Sequence, residues 1–137
     1  MKKLCREHGM RLTPQRVEIL RVISVAKDHP STVEICKRVR SRNPAISADT
    51  VHRSLNTFYQ WKLIDKIEFL DNKIRFDPNV NPHNHFICTE CGGIWDLYWK
   101  KFDEIDLPPD VSRLGKPKTR HAQIKGVCTK CSKERNK

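Results

Sequence analysis

Apolar residues recur at helical spacing in three stretches of the N-terminal half of the chain. The stretches begin after Thr13, Ser31 and Ser47, residue types that commonly cap the N-termini of helices. Apolar positions spaced three or four residues apart are typical of an amphipathic helix. The residues expected on the buried faces are Val17, Leu20 and Ile23, then Val33, Cys36 and Val39, and finally Val51, Leu55 and Phe58. The pattern therefore predicts three short helices, the second ending near Asn43-Pro44 and the third near Trp61.

A residue-by-residue alternation replaces the helical spacing at residues 64–69 and 73–77. This alternation predicts two strands, and the pair Asp71-Asn72 between them predicts a hairpin turn. Three helices followed by a hairpin is the order of a winged helix-turn-helix, in which the third helix lies in the major groove of DNA. A small α+β domain with no role on DNA has the same order, so the order alone leaves both interpretations open.

A polar connector rich in proline and asparagine occupies residues 78–82. We therefore predict a first domain, the candidate winged helix, at 1–77, a linker at 78–82 and a second domain at 83–137. The second domain is expected to combine strands with a weak helix that Pro108-Pro109 ends. Its predicted elements are strands at 86–88, 93–98 and 120–127 and a helix at about 101–105. The expected fold class is α+β, with a small α/β second domain.

The chain is strongly basic. Its 137 residues carry 27 Lys and Arg against 16 Asp and Glu, a formal net charge of +11, and most of that excess lies in residues 1–62. Such a balance favours a polyanionic partner, because Lys and Arg release the counterions condensed on a phosphate backbone. Nucleic acid is the first candidate and an anionic membrane surface the second. The length excludes a large multidomain enzyme. No apolar run approaches the roughly 20 residues of a membrane span, so we expect a cytoplasmic protein.

Four of the six cysteines form two C-x-x-C pairs, Cys88 with Cys91 and Cys128 with Cys131. Two such pairs can complete the tetrahedral sulfur shell that zinc prefers, and Gly92-Gly93 allows a sharp turn after the first pair. Four thiolates leave no open position, so this zinc ion, one per chain, would be structural and not catalytic. A thioredoxin-type redox pair is the alternative, but it needs a single C-x-x-C that opens a helix.

A second candidate set consists of histidines and aspartates. His83 and His85 are two residues apart, so both side chains lie on one face of an extended segment. Asp77 ends the second hairpin strand, Asp96 lies in a later strand, and His29 precedes the second helix. Nitrogen and oxygen ligands of this kind suit Fe2+ or Mn2+. Alternatively, these are exposed loop histidines and strand-end aspartates, and the spacing alone does not decide between the two.

Several motifs match a known family in order along the chain. They are Arg11-Leu12-Thr13-Pro14-Gln15-Arg16, His29-Pro30-Ser31, Ile46-Ser47 followed by Thr50-Val51-His52-Arg53 and Leu55, Phe76-Asp77, His83-x-His85-Phe86-x-Cys88-x-x-Cys91-Gly92, and Gly126-Val127-Cys128-x-x-Cys131. With these motifs the chain resembles the ferric uptake regulator (Fur) family of metal-dependent repressors over residues 9–133. It is most similar to the peroxide-sensing branch of that family.

The resemblance implies a regulatory Fe2+ or Mn2+ site in addition to the structural zinc. Its ligands, carried over position by position, are His29, Asp77, His83, His85 and Asp96. Iron-responsive members usually have glutamate where Asp96 stands. The family's His-His-Asp-His run is replaced here by Pro82-His83-Asn84-His85, so a further metal site is not expected.

The resemblance also implies a homodimer that associates through its second domains and reads a palindromic operator in double-stranded DNA. The residues expected to contact bases or phosphates from the third helix are Ser47, Thr50, His52 and Arg53, and those expected to position the domain on the backbone are Arg11, Gln15 and Arg16. Where this chain has His52, members of the family commonly have tyrosine, so we expect an altered operator preference. The alternative for the arginines is an ordinary solvated helix face.

Peroxide is the signal that the resemblance implies. With Fe2+ bound, peroxide would oxidise His29 or His83, and the oxidised protein would release the metal and the operator. An iron- or manganese-responsive uptake repressor without peroxide chemistry is the alternative. A non-haem iron enzyme built on His83, His85 and Asp96 is more distant, because no other residues supply an acid, a base or a nucleophile. We therefore predict a regulator and not an enzyme, with no membrane partner and no small-molecule substrate other than peroxide as a signal.

Overall fold

Helices come first along the chain and sheets follow. The computed structural model describes residues 2–7, 9–68 and 73–135. The helices are α1 (Lys2–Glu7), α2 (Pro14–Ser24), α3 (Thr32–Arg42), α4 (Ala48–Gln60), α5 (Lys100–Glu104), α6 (Pro109–Leu114) and α7 (Thr129–Arg135). The strands are β1 (Asp65–Glu68), β2 (Ile74–Asp77), β3 (Asn84–Cys88), β4 (Ile94–Leu97) and β5 (Gln123–Gly126). The chain divides into two compact units, Met1–Val80 and Asn81–Lys137, and the predicted α+β class is confirmed. In the described part of the chain, every helix is too short or too polar to cross a membrane.

The helices of the first unit begin where the sequence predicts. The side chains of Thr13, Ser31 and Ser47 each accept a hydrogen bond from the backbone N–H three residues further on. At α3 this is a full capping box: Ser31 Oγ accepts from Glu34 N at 3.3 Å, and a Glu34 carboxylate oxygen accepts from Ser31 N at 2.8 Å. These caps fix the first turns of α2, α3 and α4.

An apolar core joins α2, α3 and α4. Its most deeply buried members are Cys5, Ile19, Ile23, Ile35, Val39, Ile46, Val51, Leu55, Phe58 and Ile64. The prediction for Val33 is wrong, because this side chain is 64% exposed while Ile35 and Val39 are buried. Successive steps of three residues drift around a helix of 3.6 residues per turn, so the series from Val33 through Cys36 to Val39 does not share one face. Cys36 is partly buried against the core, as predicted.

The hairpin that follows α4 completes a winged helix-turn-helix. β1 and β2 pair in antiparallel fashion, with Asp65 opposite Asp77. The segment before α3 runs beside β2, since Phe76 N donates to Pro30 O at 3.0 Å. The predicted turn Asp71-Asn72 lies outside the described residues.

β3 is the central strand of the second unit's sheet, whose order is β4-β3-β5. It pairs antiparallel with β4 and parallel with β5. Pro109 begins α6 instead of ending a helix. Backbone N–H groups in the first turn of a helix have no acceptor within the helix, so a proline, which lacks this N–H, is tolerated there. The prediction also omits α1 and α7. In α7 the buried residue is Cys131, so no apolar stripe marks this helix in the sequence.

Candidate metal centre and nucleic-acid interface

The four paired cysteines meet at one end of the second unit's sheet. The parallel register of β3 and β5 places Cys88 opposite Gly126, two residues before Cys128. The four sulfur atoms all lie within 4.8 Å of one another, and those of Cys91 and Cys128 are 3.9 Å apart. Sulfurs around a zinc ion at about 2.3 Å are about 3.8 Å apart. The structure therefore brings the predicted quartet together at nearly the spacing of a zinc shell.

Backbone N–H groups point at these sulfur atoms. Cys88 Sγ accepts from Cys128 N at 3.3 Å and from Cys91 N at 3.5 Å, and Cys128 Sγ accepts from Cys131 N at 3.4 Å. Donation from Cys128 and Cys91 lowers the pKa of Cys88 from 9.0 to about 6. Hydrogen bonding to the neighbouring cysteines, above all Cys128, raises the pKa of Cys131 to about 12. Four crowded sulfur atoms favour a bound cation, which binds the cysteines as thiolates and displaces their protons.

The turn after Cys91 depends on two glycines. Gly92 has a φ of +73°, in the left-handed region that favours glycine. Gly93 N donates to Cys91 Sγ at 3.4 Å, and a Cβ added at Gly93 would lie 2.6 Å from the ring of Trp95 and 3.3 Å from that sulfur. The Gly92-Gly93 pair thus allows the backbone to approach the sulfur cluster, as the sequence predicts.

In the first unit, His29 and Asp77 lie side by side. His29 Nε2 is 3.4 Å from Asp77 Oδ2, and both side chains are buried. Asp77 Oδ1 accepts from Asn79 N at 2.9 Å, which holds the carboxylate in one orientation. His29 has a φ of +50°, a conformation that costs a residue other than glycine about 1–3 kcal/mol. The pairing of Pro30 with β2 keeps His29 in this strained conformation, with its imidazole against Asp77.

In the second unit, His83 and His85 face Asp96, which lies opposite His85 in the register of β3 and β4. His83 Nε2 is 3.3 Å and His85 Nε2 is 3.5 Å from the same oxygen, Asp96 Oδ1. His83 Nδ1 is 2.6 Å from Asn81 O, and a carbonyl oxygen only accepts, so Nδ1 carries the hydrogen and donates it. In the neutral imidazole this leaves Nε2 as an acceptor that faces a carboxylate, which is also an acceptor. Acceptors that face one another this closely suit a metal ion bound between them.

The exposed side of α4 carries the candidate base-reading residues. Arg53 is 80% exposed, its guanidinium Nη2 lies 2.8 Å from Asp49 Oδ2, and His52 is exposed beside it. Ser47 and Thr50 are part of the cap, since Ser47 Oγ accepts from Thr50 N at 3.1 Å and lies 2.9 Å from the Thr50 hydroxyl. These two hydroxyls therefore stabilise the first turn, while His52 and Arg53 are exposed on the second turn.

The second candidate DNA-contacting segment precedes and opens α2. Arg11 and Gln15 are exposed. Arg16 is half-buried and donates from Nη1 to Arg11 O at 3.0 Å. This contact orders the backbone just before α2, so Arg16 has a structural role that the sequence pattern does not reveal.

Lys66 is a residue that sequence reasoning does not single out. It lies in β1 of the hairpin, with its ammonium 4.4 Å from the ring centroid of Tyr59 and 3.4 Å from Asn56 Oδ1. Tyr59 and Asn56 both belong to α4, so Lys66 links the hairpin to the candidate reading helix. A lone lysine in an alternating strand gives no signal of this contact.

A winged helix-turn-helix unit followed by a unit with clustered cysteine, histidine and aspartate side chains defines a winged-helix protein with candidate metal ligands. The sequence profile of the Ferric uptake regulator family matches residues 7–108. The chain belongs to the ferric uptake regulator family.

Individual relatives agree with this assignment. The chain is 34% identical over 133 residues to the peroxide-responsive repressor PerR of Staphylococcus epidermidis, covering 96% of this chain and 87% of the relative. Among solved structures it is similar to the Campylobacter jejuni peroxide stress regulator, with a TM-score of 0.71 and 27% identity over 96% of this chain and 98% of that one. A zinc uptake regulator solved with zinc and DNA shares the fold, with a TM-score of 0.70 and 23% identity over 99% of this chain and 93% of that one.

Proposed function

We propose that this chain is a metal-dependent transcriptional repressor that binds operator DNA as a homodimer in the cytoplasm and releases it in response to peroxide. The observation that carries the proposal is the group formed by His83, His85 and Asp96, in which two imidazole nitrogens face one carboxylate oxygen. The chain's family, and its similarity to peroxide-responsive repressors, support this class of protein. The same similarity favours a regulator over an enzyme.

The cysteine quartet is the proposed zinc site. Cys88, Cys91, Cys128 and Cys131 would bind one Zn2+ per chain through four thiolates, and the shell would then be closed to substrate. Cys88 is the last residue of β3, and Cys128 follows the neighbouring parallel strand β5 by two residues. Zinc would therefore fasten β3, β5 and α7 to one another.

The regulatory ion is proposed to be Fe2+ or Mn2+, bound by His29 and Asp77 from the first unit and by His83, His85 and Asp96 from the second. An ion that takes ligands from both units selects one arrangement of the two. Coupling free energies between such sites are typically about 1–3 kcal/mol, which changes an affinity about 5- to 150-fold. Metal binding would in this way control the affinity for DNA.

DNA binding is assigned to the first unit. We propose that α4 enters the major groove, with Arg53 and His52 toward base edges and Ser47 and Thr50 at the phosphate-facing first turn. The residues proposed to contact the backbone from the start of α2 are Arg11, Gln15 and Arg16. The relative solved with DNA has the same fold, and the excess positive charge of residues 1–62 supports the assignment.

Dimerisation is assigned to the second unit. Its surface carries several large exposed apolar side chains: Trp95, Tyr98, Trp99, Ile105, Leu107, Leu114 and Ile124. Exposed apolar side chains mark an association surface where they form a contiguous patch, and we propose that these side chains do so. Two copies related by a twofold axis would place two reading helices on a palindromic operator.

The peroxide response is proposed to be the oxidation of a ligand histidine. Bound Fe2+ would supply the electron that begins cleavage of the O–O bond and would regain it from the ring, so that the iron undergoes no net change. In the net reaction one oxygen atom of the peroxide is added to a ring carbon of His29 or His83 and the other leaves as water, so the ring is oxidised by two electrons and the peroxide is reduced by two. An oxidised imidazole is a poorer ligand, so the ion and the operator would be released.

A gel-shift experiment with the zinc-containing full-length protein tests this proposal. Operator candidates are incubated anaerobically with Fe2+-loaded or Mn2+-loaded protein and then with one equivalent of peroxide, and modified peptides are mapped by mass spectrometry. We expect the Fe2+ form to lose DNA binding together with a one-oxygen addition at His29 or His83, and the Mn2+ form to keep it. Loss of DNA binding without that addition would refute histidine oxidation as the response, and no loss at all would refute peroxide sensing.

Matched variants sharpen the result. His83→Asn should abolish metal-dependent DNA binding, whereas His121→Asn, at an exposed histidine of the same unit, should not. The conservative Asp96→Glu substitution should keep metal-dependent binding but weaken the peroxide response, because iron-responsive members usually have glutamate there. A wild-type protein that represses with Fe2+ or Mn2+ and ignores peroxide would indicate the metal-uptake repressor instead.

A further inference from the structure

The exposed side of α4 carries an acidic residue outside the proposed set of DNA contacts. Asp49 lies in the first turn with a side chain that is 68% exposed, and its Oδ2 is 2.8 Å from Arg53 Nη2. The buried face of α4 consists of Val51, Ser54, Leu55 and Phe58. At 3.6 residues per turn, Asp49, Arg53 and Asn56 lie along the side of the helix opposite that face. Asp49 and Arg53 are therefore presented together on the line of α4 that points away from the core.

A carboxylate at this place opposes DNA binding unless it meets a base. Phosphates repel it, and the other residues of the proposed interface are basic or neutral. Base edges in the major groove differ from phosphates, because cytosine presents the N4 amino group as a donor to Asp or Glu, and guanine presents O6 and N7 as acceptors for the fork of arginine. The Asp49–Arg53 pair offers an acceptor and a donor side by side and so fits a base edge better than a phosphate.

On the basis of the proposed function, we propose that Asp49 is a specificity-determining residue of the reading helix. It accepts a hydrogen bond from a cytosine amino group and holds the Arg53 guanidinium toward a guanine in a neighbouring base pair. Its negative charge also lowers the affinity for DNA that lacks this pair of bases, because there the carboxylate meets only phosphates and base acceptors. Asp49 thus increases discrimination between operators more than it increases affinity.

The competing explanation is that Asp49 only stabilises α4. A carboxylate in the first turn interacts favourably with the helix dipole. An exposed ion pair between residues four apart stabilises the helix slightly further. The chain contains a matched pair for this role, since Asp110 lies in the first turn of α6 beside Arg113 and is similarly exposed. Asp110→Asn therefore removes the same charge and the same kind of ion pair outside the proposed interface.

The test is a binding selection with the metal-loaded full-length protein from a library of randomised duplexes. Wild type, Asp49→Asn, Asp110→Asn and Arg53→Lys are compared, and each protein is then titrated with the duplex that wild type selects and with a scrambled duplex of equal composition. For Asp49→Asn we expect preference at one base-pair position of each half-site to fall about 10-fold, with equal or tighter binding to the scrambled duplex. Asp110→Asn should give the wild-type profile, and Arg53→Lys should weaken the preference for guanine at the neighbouring position.

Two outcomes overturn the role of Asp49 alone. One is an Asp49→Asn profile identical to that of wild type. The other is an equal loss of affinity for the selected and the scrambled duplex together with a lower melting temperature, which is the signature of a purely structural residue. If wild type itself selects no sequence, both the proposed function and the role of Asp49 fail.

Discussion

Replacing Cys88 by serine should unfold the second unit and leave the first folded. Cys88 is fully buried, and its sulfur accepts from two backbone N–H groups within the quartet. Among the described residues of the second unit, Ile87 and Ile94 are the buried aliphatic side chains, each contributing about 1.5–3 kcal/mol. Structural zinc contributes about 10–16 kcal/mol to the folding of small domains. Loss of zinc would thus remove more stabilisation than this apolar core supplies.

Amide hydrogen exchange read by mass spectrometry localises the effect. In Cys88→Ser, peptides from β3 and β4 should lose protection, peptides from α2, α3 and α4 should retain it, and bound zinc should fall from about one per chain to none. Cys36→Ser is the control, because Cys36 is a partly buried cysteine that packs on the core of the first unit and lies outside the quartet. It should keep both the zinc and the protection of β3. A Cys88→Ser protein that contains no zinc and protects β3 as well as wild type does would refute the reasoning.

Two further predictions concern a glycine and an ion pair. Gly93→Ala should weaken zinc retention in a chelator competition and cost about 1–3 kcal/mol, because its Cβ would lie 2.6 Å from the Trp95 ring and 3.3 Å from Cys91 Sγ; retention equal to wild type would contradict the geometry. The pKa of Asp28 is lowered from 3.8, chiefly by the hydrogen bond from Arg38. The ion pair therefore stabilises the fold at pH values above 3.8, and its contribution is lost as the pH falls through the lowered pKa. Because both side chains are substantially exposed, Asp28→Asn should cost at most about 1 kcal/mol at neutral pH in urea unfolding, and the difference from wild type should vanish in strong acid.

The first unit could be predicted from the sequence because local signals and packing agree there. The caps at Ser31 and Ser47 mark helix starts that the structure confirms, and the stripe on α4 is buried as expected. Val33 shows where pattern reasoning fails, since a spacing of three residues fits a helix face only over a short distance. α7 could not be predicted, because the cysteine cluster anchors it and an apolar face does not. In the second unit a metal-ligand set takes the place of much of the hydrophobic periodicity on which such predictions depend.

The ligand set of the candidate site could be predicted by residue type, whereas the orientation of its groups could not. Alternation places His83 and His85 on one face of an extended segment, and His83 just before β3 and His85 within it both face Asp96 of β4. What decides which nitrogen of His83 faces the carboxylate is the carbonyl of Asn81, which accepts from Nδ1 and leaves Nε2 toward Asp96. That carbonyl is a backbone group, so its position depends on how the chain enters β3 and not on the identity of residue 81. Replacing Asn81 by another non-proline residue should therefore leave the orientation of His83 unchanged, whereas a change in the course of the backbone here would turn a proposed ligand away from its metal.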